Sequence, residues 1–280
     1  MRSSTKFDIT PTEQQLADYP RQMEFVPSST EAPRVLTREQ LEQFNRDGFL
    51  TPLPVFSAAE IARHREYFDA LLAETLRNGG DSYSISTAHL RYGRVYDLLC
   101  EARIVDYVSD LLGPDVIGWG SHYFCKMPGD GKAVDWHQDA NYWPLSPTRT
   151  VTVWLAIDDA DPSNGAMQVI AGSHRFGAIE HSPASSDSVL DRAIADPLKF
   201  GQRVPISLRA GQVSLHADLL LHGSEANQSA RRRCGLTLRY CTPEVRAGMD
   251  WQKKGVVVRG QDRSGHWANP PRPGDDAGST

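Results

Sequence analysis

A histidine and a carboxylate stand two residues apart in the stretch GDGKAVDWHQDANYW, where His137 and Asp139 flank Gln138. In a β-strand, side chains at i and i+2 point to the same face, so a strand here projects the imidazole and the carboxylate together and turns Gln138 away. One imidazole and one carboxylate are part of the 2-His-1-carboxylate facial triad, which holds Fe(II) on one side and leaves positions open for substrate and oxygen. The spacing therefore predicts part of a non-haem iron site.

The third ligand must come from elsewhere in the chain, and His222 is the best placed of the remaining histidines. It follows the apolar run 219–221 and precedes Gly223, a pattern typical of a strand end from which a side chain reaches into a cavity. His216 and Asp218 form a second His-x-Asp pair just before it. Because one strand cannot easily supply three ligands, we expect His216 to make hydrogen bonds near the site rather than to bind metal.

Three consecutive arginines, residues 231–233, follow His222. A buried arginine near iron would suit a dicarboxylate co-substrate, since guanidinium binds carboxylate in bidentate fashion. If the strand runs from 231 to 240, alternation puts Arg233 and Arg239 on one face, and both are possible partners. The position of Arg233 relative to His222 favours Arg233.

These motifs resemble the phytanoyl-CoA dioxygenase family of Fe(II)- and 2-oxoglutarate-dependent oxygenases. HQD is followed by HGSEANQS and by an arginine eleven residues after the second histidine. LTREQLEQFNRDGFLTP resembles the N-terminal helix and following strand of the family, FCKMPGDG resembles the turn ahead of the first ligand, and NGAMQVIAGSH resembles a later segment. The likeness spans most of residues 36–245 in the expected order.

The resemblance implies roles for particular residues. Those that match the iron ligands are His137, Asp139 and His222. Those that match positions in the co-substrate pocket are Arg233, which would bind the distal carboxylate of 2-oxoglutarate, Trp154, His122 and Ser229. Aromatic and histidine side chains that could line a substrate pocket are Trp136, Tyr142, Trp143 and His174, although large aromatics beside a strand are as often core residues.

The implied activity is oxidation of an unactivated C–H bond in a small molecule. Fe(II) would be the bound cofactor, 2-oxoglutarate and O2 would be consumed, and succinate and CO2 would be released. The carboxylate of Asp139 favours hydroxylation, because halogenating relatives have a small residue there. Two other interpretations use the same residues: a zinc-dependent hydrolase, since zinc accepts His, Asp and His, and a non-catalytic jelly-roll binding module. A hydrolase would not need Arg233.

Helical and strand patterns suggest how these residues are positioned. Thr37 with Gln40 predicts a capped helix ending at Gly48, Ser57 begins a long helix ending at 79–80, and 102–112 is a further helix. Short Val- and aromatic-rich runs then alternate with turn residues. We predict a mainly β protein with flanking α-helices, a double-stranded β-helix (jelly roll, cupin-like).

One domain over 36–268 accounts for these elements. We expect an extended N-terminal arm over 1–35, a lid insertion at 177–202, and a flexible tail over 269–280. The net charge of −5 and the single short basic run argue against a nucleic-acid partner, and no window approaches 18 apolar residues. Four cysteines without a CxxC pair indicate buried thiols in a reduced, cytoplasmic setting.

Overall fold

The structure is a computed structural model that describes residues 11–184 and 186–274, and two antiparallel β-sheets form its centre. The strands are β1 (Phe49–Pro54), β2 (Val116–Lys126), β3 (Val134–His137), β4 (Leu145–Ser146), β5 (Thr150–Ala156), β6 (Gln168–Ile170), β7 (Ser182–Pro183), β8 (Arg192–Ala193), β9 (Arg203–Pro205), β10 (Gln212–Ala217), β11 (His222–Ser224), β12 (Arg233–Cys241), β13 (Arg246–Ala247) and β14 (Val256–Arg259). The larger sheet has the order β1-β10-β5-β12-β2-β14 and the smaller one β3-β11-β6-β9. The predicted double-stranded β-helix is confirmed.

Helices cover the outer face of the larger sheet. The α-helices are α1 (Glu13–Ala17), α2 (Arg38–Asp47), α3 (Ala58–Arg77), α4 (Gly93–Leu99) and α5 (Ala102–Leu112). The predicted helix boundaries are confirmed for α2, α3 and α5. Thr37 and Ser57 each form a capping box, and Gly48 ends α2 in the left-handed conformation.

Strand alternation divides the larger sheet into a core face and a cavity face. Along β12, Cys234, Leu236 and Leu238 belong to the main hydrophobic core with helix residues such as Phe68 and Leu71. The intervening residues of β12, Arg233, Thr237 and Arg239, line a cavity between the two sheets. Alternate side chains of β12 therefore pack in the core or face the cavity, because successive residues of a strand point to opposite faces.

The segment 11–35 lies against the domain and includes the short helix α1, so it is not extended throughout. The buried carboxylate of Asp110 in α5 accepts hydrogen bonds from the backbone N–H groups of residues 34–36 at 2.8 to 3.0 Å. The Arg21 guanidinium donates to the carbonyl oxygens of Ala140 and Trp143. The arm thus supports the loop that follows β3.

Other expectations fall partly outside the described residues. The tail is held as far as Arg272, because Asn269 bonds to the backbone of Gly255 and Val257 and Arg272 pairs with Asp97 at 2.7 Å. Residues 275–280 lie outside the described residues, as do 1–10 of the arm. All four cysteines are free thiols, although Cys100 is only half-buried. In the described part of the chain, no helix is long and apolar enough to cross a membrane.

We expect Gly48→Ala to destabilise the protein more than Gly79→Ala. Both glycines have positive φ, 84° and 81°, so each alanine variant incurs about 1 kcal/mol of left-handed strain. A Cβ on Gly48 would also lie 2.6 Å from Nδ1 of His174, whereas nothing lies within 4 Å of one on Gly79. Overpacking of this kind adds about 1–3 kcal/mol. Urea unfolding of the two variants measures the difference, and equal losses would contradict the packing argument.

Candidate functional site

His137 and His222 face each other because β3 and β11 are hydrogen-bonded neighbours. The two residues are direct partners in the antiparallel register, and their ring centroids are 4.1 Å apart. His137 is the last residue of β3 and His222 the first of β11. Together with Asp139 they form a buried group whose possible ligand atoms all lie within 4.8 Å of one another.

Backbone contacts orient both imidazoles. Nδ1 of His137 lies 2.8 Å from the carbonyl oxygen of Asp135, and Nδ1 of His222 lies 3.0 Å from that of Leu220. A carbonyl can only accept, so each Nδ1 is the donor, and in the neutral ring the lone pair is then on Nε2. Both Nε2 atoms face Asp139 Oδ1, at 3.7 and 3.9 Å. The three residues therefore fit a divalent metal ion.

Asp139 is a buried carboxylate in a cationic environment. Burial alone would raise its pKa, but the positive charge of Arg239, whose Nε is 4.0 Å away, holds the pKa well below its usual value. Thr152 also donates its hydroxyl to Oδ2 at 3.2 Å. The group is therefore an anion ready to bind a cation.

The expected strand geometry at His-x-Asp is wrong in one respect. β3 ends at His137, and Asp139 begins a short 3-10 turn, Asp139–Tyr142, so the pair is not joined by strand alternation. Gln138 does point away, as predicted. Its amide donates to the carbonyls of Gly177 and Leu219 and accepts from the N–H of Ile179, which fixes the turn that brings Asp139 back to the histidines.

The cavity beside these ligands has a volume of about 140 Å³, far more than the roughly 10–15 Å³ that one water needs. Arg233 lines it and is 3 % exposed. Its guanidinium lies 5.6 Å from the ring of Trp154 and 3.5 Å from the hydroxyl oxygen of Ser224. Gly235 leaves the room for this tryptophan, since a Cβ there would lie 2.0 Å from the indole.

His122 and Ser229 differ in position. His122 lines the cavity from β2, and burial with the nearby Arg239 lowers its pKa to about 3, so the ring is neutral. Ser229 does not line the cavity, because its hydroxyl donates to Asn227 Oδ1 in a turn that also involves Arg231. Ser224 occupies the place expected for Ser229. Strand alternation could have found it, since Ser224 is two residues after His222.

Two of the four predicted substrate-pocket residues line the cavity, namely Tyr142 and Trp143. Trp136 lies on the opposite face of β3 from His137 and packs against Ile170, Ile194 and Leu221. His174 packs edge-on against Phe25 and its Nε2 bonds the carbonyl of Asn45. Neither of these two reaches the cavity.

Several cavity residues had no sequence signal. Trp251 and Lys254 come from a 3-10 turn after the last long strand, Leu190 comes from the 177–202 insertion, and Trp119 comes from β2. His216 also lines the cavity, with Nε2 3.8 Å from Asp139 Oδ2, consistent with a supporting position beside the ligands.

Comparison with known proteins agrees with this geometry. A family model described as phytanoyl-CoA dioxygenase matches residues 44–235, which include all three candidate ligands and Arg233. The chain belongs to the phytanoyl-CoA dioxygenase family. The predicted class of enzyme, an Fe(II)- and 2-oxoglutarate-dependent dioxygenase, is thereby confirmed.

Individual relatives of this phytanoyl-CoA dioxygenase family member cover most of its length. The peroxisomal phytanoyl-CoA dioxygenase of Bos taurus is 24% identical over 79% of this chain and 72% of its own. The ectoine dioxygenase of Nocardia farcinica is 28% identical over 74% of this chain and 78% of its own. The non-heme monooxygenase ThoJ has a similar structure, with TM-score 0.74, 29% identity, and 84% and 88% of the two chains covered.

Lys126, in the motif ahead of the first ligand, has a structural position that the sequence did not reveal. Its side chain is fully buried, and its ammonium donates to the carbonyl oxygens of Ser224, at 3.2 Å, and Glu225. Burial, with the charge of Arg233, lowers its pKa to about 7. The lysine thus holds the segment that carries Ser224 beside Arg233.

We expect Lys126→Met to lower the free energy of unfolding by about 1–3 kcal/mol, because it removes two charge-assisted hydrogen bonds to the carbonyls of Ser224 and Glu225. Denaturant unfolding measures this loss. Lys199→Met is the control, since that ammonium is exposed and pairs only with Asp196, and its change should stay within about 0.5 kcal/mol. Equal stability of the Lys126 variant and the parent protein would contradict the anchoring role.

Proposed function

We propose that this protein hydroxylates an unactivated C–H bond of a small molecule, using Fe(II), 2-oxoglutarate and O2 and releasing succinate and CO2. The observation that supports it most is the juxtaposition of a buried His137, Asp139 and His222 group with a buried arginine, Arg233, that pairs with no carboxylate of the described residues. An ectoine dioxygenase among the relatives supports a small-molecule substrate. A cytoplasmic location accompanies the proposal as a prediction.

Fe(II) would be held by Nε2 of His137, Nε2 of His222 and a carboxylate oxygen of Asp139. The metal with 2-oxoglutarate and O2 supplies the oxidising power. The chain supplies position and exclusion of water: the carbonyls of Asp135 and Leu220 fix the imidazoles, and Thr152 fixes the carboxylate. The carboxylate at 139 fills the position that a halide would need, which favours hydroxylation.

Arg233 is the proposed partner of the distal carboxylate of 2-oxoglutarate. It makes no ion pair with the residues that the structure describes, and burial lowers its pKa. A buried cation without an anion is costly, so a bound carboxylate would restore the missing partner. The indole of Trp154 and the hydroxyl of Ser224 would border the same carboxylate. A zinc hydrolase would leave this arginine without a role.

The insertion at 177–202 is proposed to cover the cavity. Leu190 lines it, and the Tyr142 hydroxyl donates to the carbonyl of Arg192 at 2.8 Å. The start of the insertion is fixed to β3 through Gln138. A cover of this kind would keep water from the reacting centre.

The first test is an anaerobic titration of the protein with Fe(II) and then 2-oxoglutarate, observing the visible metal-to-ligand charge-transfer band. We expect the band in the parent protein and its loss or weakening in His222→Ala. Arg233→Met should require about 10–100 times more 2-oxoglutarate, because a hydrogen-bonded charge pair contributes about 1.5–3 kcal/mol.

Arg231→Met is the matched control, because that arginine is close in sequence but pairs with Asp161 outside the cavity. It should leave the titration unchanged. Iron binding without a charge-transfer band in the parent protein would reject 2-oxoglutarate as co-substrate and favour the zinc hydrolase or the non-catalytic jelly roll.

A second test compares the two serines. Ser224→Ala should raise the 2-oxoglutarate concentration at half-saturation by about threefold to tenfold, since a hydroxyl contact contributes about 0.5–1.5 kcal/mol. Ser229→Ala should leave it unchanged. The reverse order would restore Ser229 as the co-substrate contact and remove Ser224 from the pocket.

A further inference from the structure

The cavity carries more positive charge than the iron and co-substrate account for. Of the described residues that line it, Asp139 is the sole carboxylate, whereas Arg233, Arg239 and Lys254 are all cations. Fe(II) and the dianion of 2-oxoglutarate balance each other, so their binding leaves this excess unchanged. Buried charges in proteins are normally paired, and here a pair is missing.

Arg239 and Lys254 lie away from Arg233, which marks the proposed co-substrate end of the cavity. Arg233 and Arg239 are six residues apart on β12, which separates their Cα atoms by about 20 Å at 3.3 Å per residue. Both point into the cavity. One arginine at the start of β12 and another near its end give the cavity two separate anion-binding ends, and Asp139 lies beside the second.

Arg239 is buried and incompletely bonded. Its guanidinium packs over the ring of Trp143, 5.1 Å from the centroid, and its Nε makes no hydrogen bond with the described residues. The nearest carboxylate oxygen belongs to Asp139 at 4.0 Å, beyond hydrogen-bond range. An arginine in this state retains donors for a ligand.

Lys254 approaches the same end of the cavity from another element. Its ammonium lies 3.5 Å from the ring centroid of Trp251 and makes no ion pair with any residue that the structure describes. Burial and the charge of Arg239 lower its pKa to about 8. Two cations that repel each other, without an intervening anion, form a site that an anion would stabilise.

The wall beside these cations is aromatic. Trp119 lies 4.7 Å from Trp143 and 5.7 Å from Trp251, measured between ring centroids, and all three line the cavity. Nε1 of Trp119 has no hydrogen-bond partner among the described residues. Such a wall accepts an apolar or flat body, while the cations at its edge accept a charged group.

We propose that the main substrate is an organic carboxylate with an apolar or aromatic body, whose carboxylate binds between Arg239 and Lys254 and whose body lies against Trp119, Trp143 and Trp251. This inference rests on the proposed function, because it assigns Arg233 to 2-oxoglutarate. The substrate anion then lies at the other end of the cavity from the co-substrate.

Phenylacetate and its neutral isostere phenylacetamide are the probes. Each is titrated anaerobically into the protein with Fe(II) and saturating 2-oxoglutarate, and binding is followed by calorimetry and tryptophan fluorescence. We expect phenylacetate to bind at least about tenfold more tightly, the effect of one charged hydrogen bond. Lys254→Met should remove most of this preference, lower phenylacetate affinity about tenfold and leave phenylacetamide and the charge-transfer band unchanged.

Lys253→Met is the matched control, because that exposed ammonium pairs with Asp250 and does not line the cavity. Arg239→Lys is the second variant and should weaken phenylacetate while keeping a positive charge beside Asp139. Equal binding of the two probes to the parent protein, or a preference that survives in both Lys254→Met and Arg239→Lys, would overturn the proposal.

Failure of the proposed function gives a different result. If no charge-transfer band forms, the titrations are repeated without iron in an Arg233→Met background, so that the probe carboxylate cannot use the co-substrate arginine. A preference for phenylacetate that still depends on Lys254 would support the anion site by itself. If that preference is absent, both the anion site and the proposed oxygenase activity are overturned.

Discussion

The pairing of β11 with β3 is the constraint on which the site depends. The two strands come from distant parts of the chain, and their register makes His222 the direct partner of His137. A shift by one residue would turn one imidazole to the opposite face of the sheet and disperse the ligands. The register is supported by β6 on the other side of β11, by the Lys126 ammonium beyond Ser224, and by Gln138 beneath the turn.

Electrostatics then decides what the assembled site can bind. Burial would disfavour charge on Asp139, yet the nearby Arg239 keeps the carboxylate ionised, and Nε of that arginine makes no hydrogen bond with the described residues. Arg233, Arg239 and Lys254 all line one cavity, and like charges repel one another strongly at low dielectric. The proposed dicarboxylate and substrate anion would each relieve part of that repulsion.

The sequence predicted those features that depend on local patterns or on an ordered set of motifs. The capping box at Thr37, the helix end at Gly48, the helix start at Ser57 and the period of two along β12 each have a local physical cause, and each is confirmed. The family resemblance correctly supplied the enzyme class. What failed depended on how distant segments fold back: β3 ends before Asp139, Ser229 turns into its own loop, and Trp136 and His174 pack against other elements. No periodicity in the sequence predicts that the 3-10 turn after β13, Trp251–Lys254, reaches the cavity.

Regular strands and irregular turns contribute to different ends of the cavity: strands to the proposed iron and co-substrate end, and turns to the proposed substrate end. Most of the proposed iron and co-substrate contacts come from sheet strands, whose positions are fixed by hydrogen-bonded neighbours: His137, His222, Trp154 and Arg233. The exception is Asp139, which lies in a 3-10 turn. Much of the opposite end comes from turns and the insertion, namely Tyr142, Trp143, Leu190, Trp251 and Lys254. Loops tolerate change better than sheets, so one scaffold can keep its oxidative chemistry while its substrate changes. Arg239 links the two regions, because it lies on the rigid strand yet faces the variable end, where its charge serves both Asp139 and the proposed substrate anion.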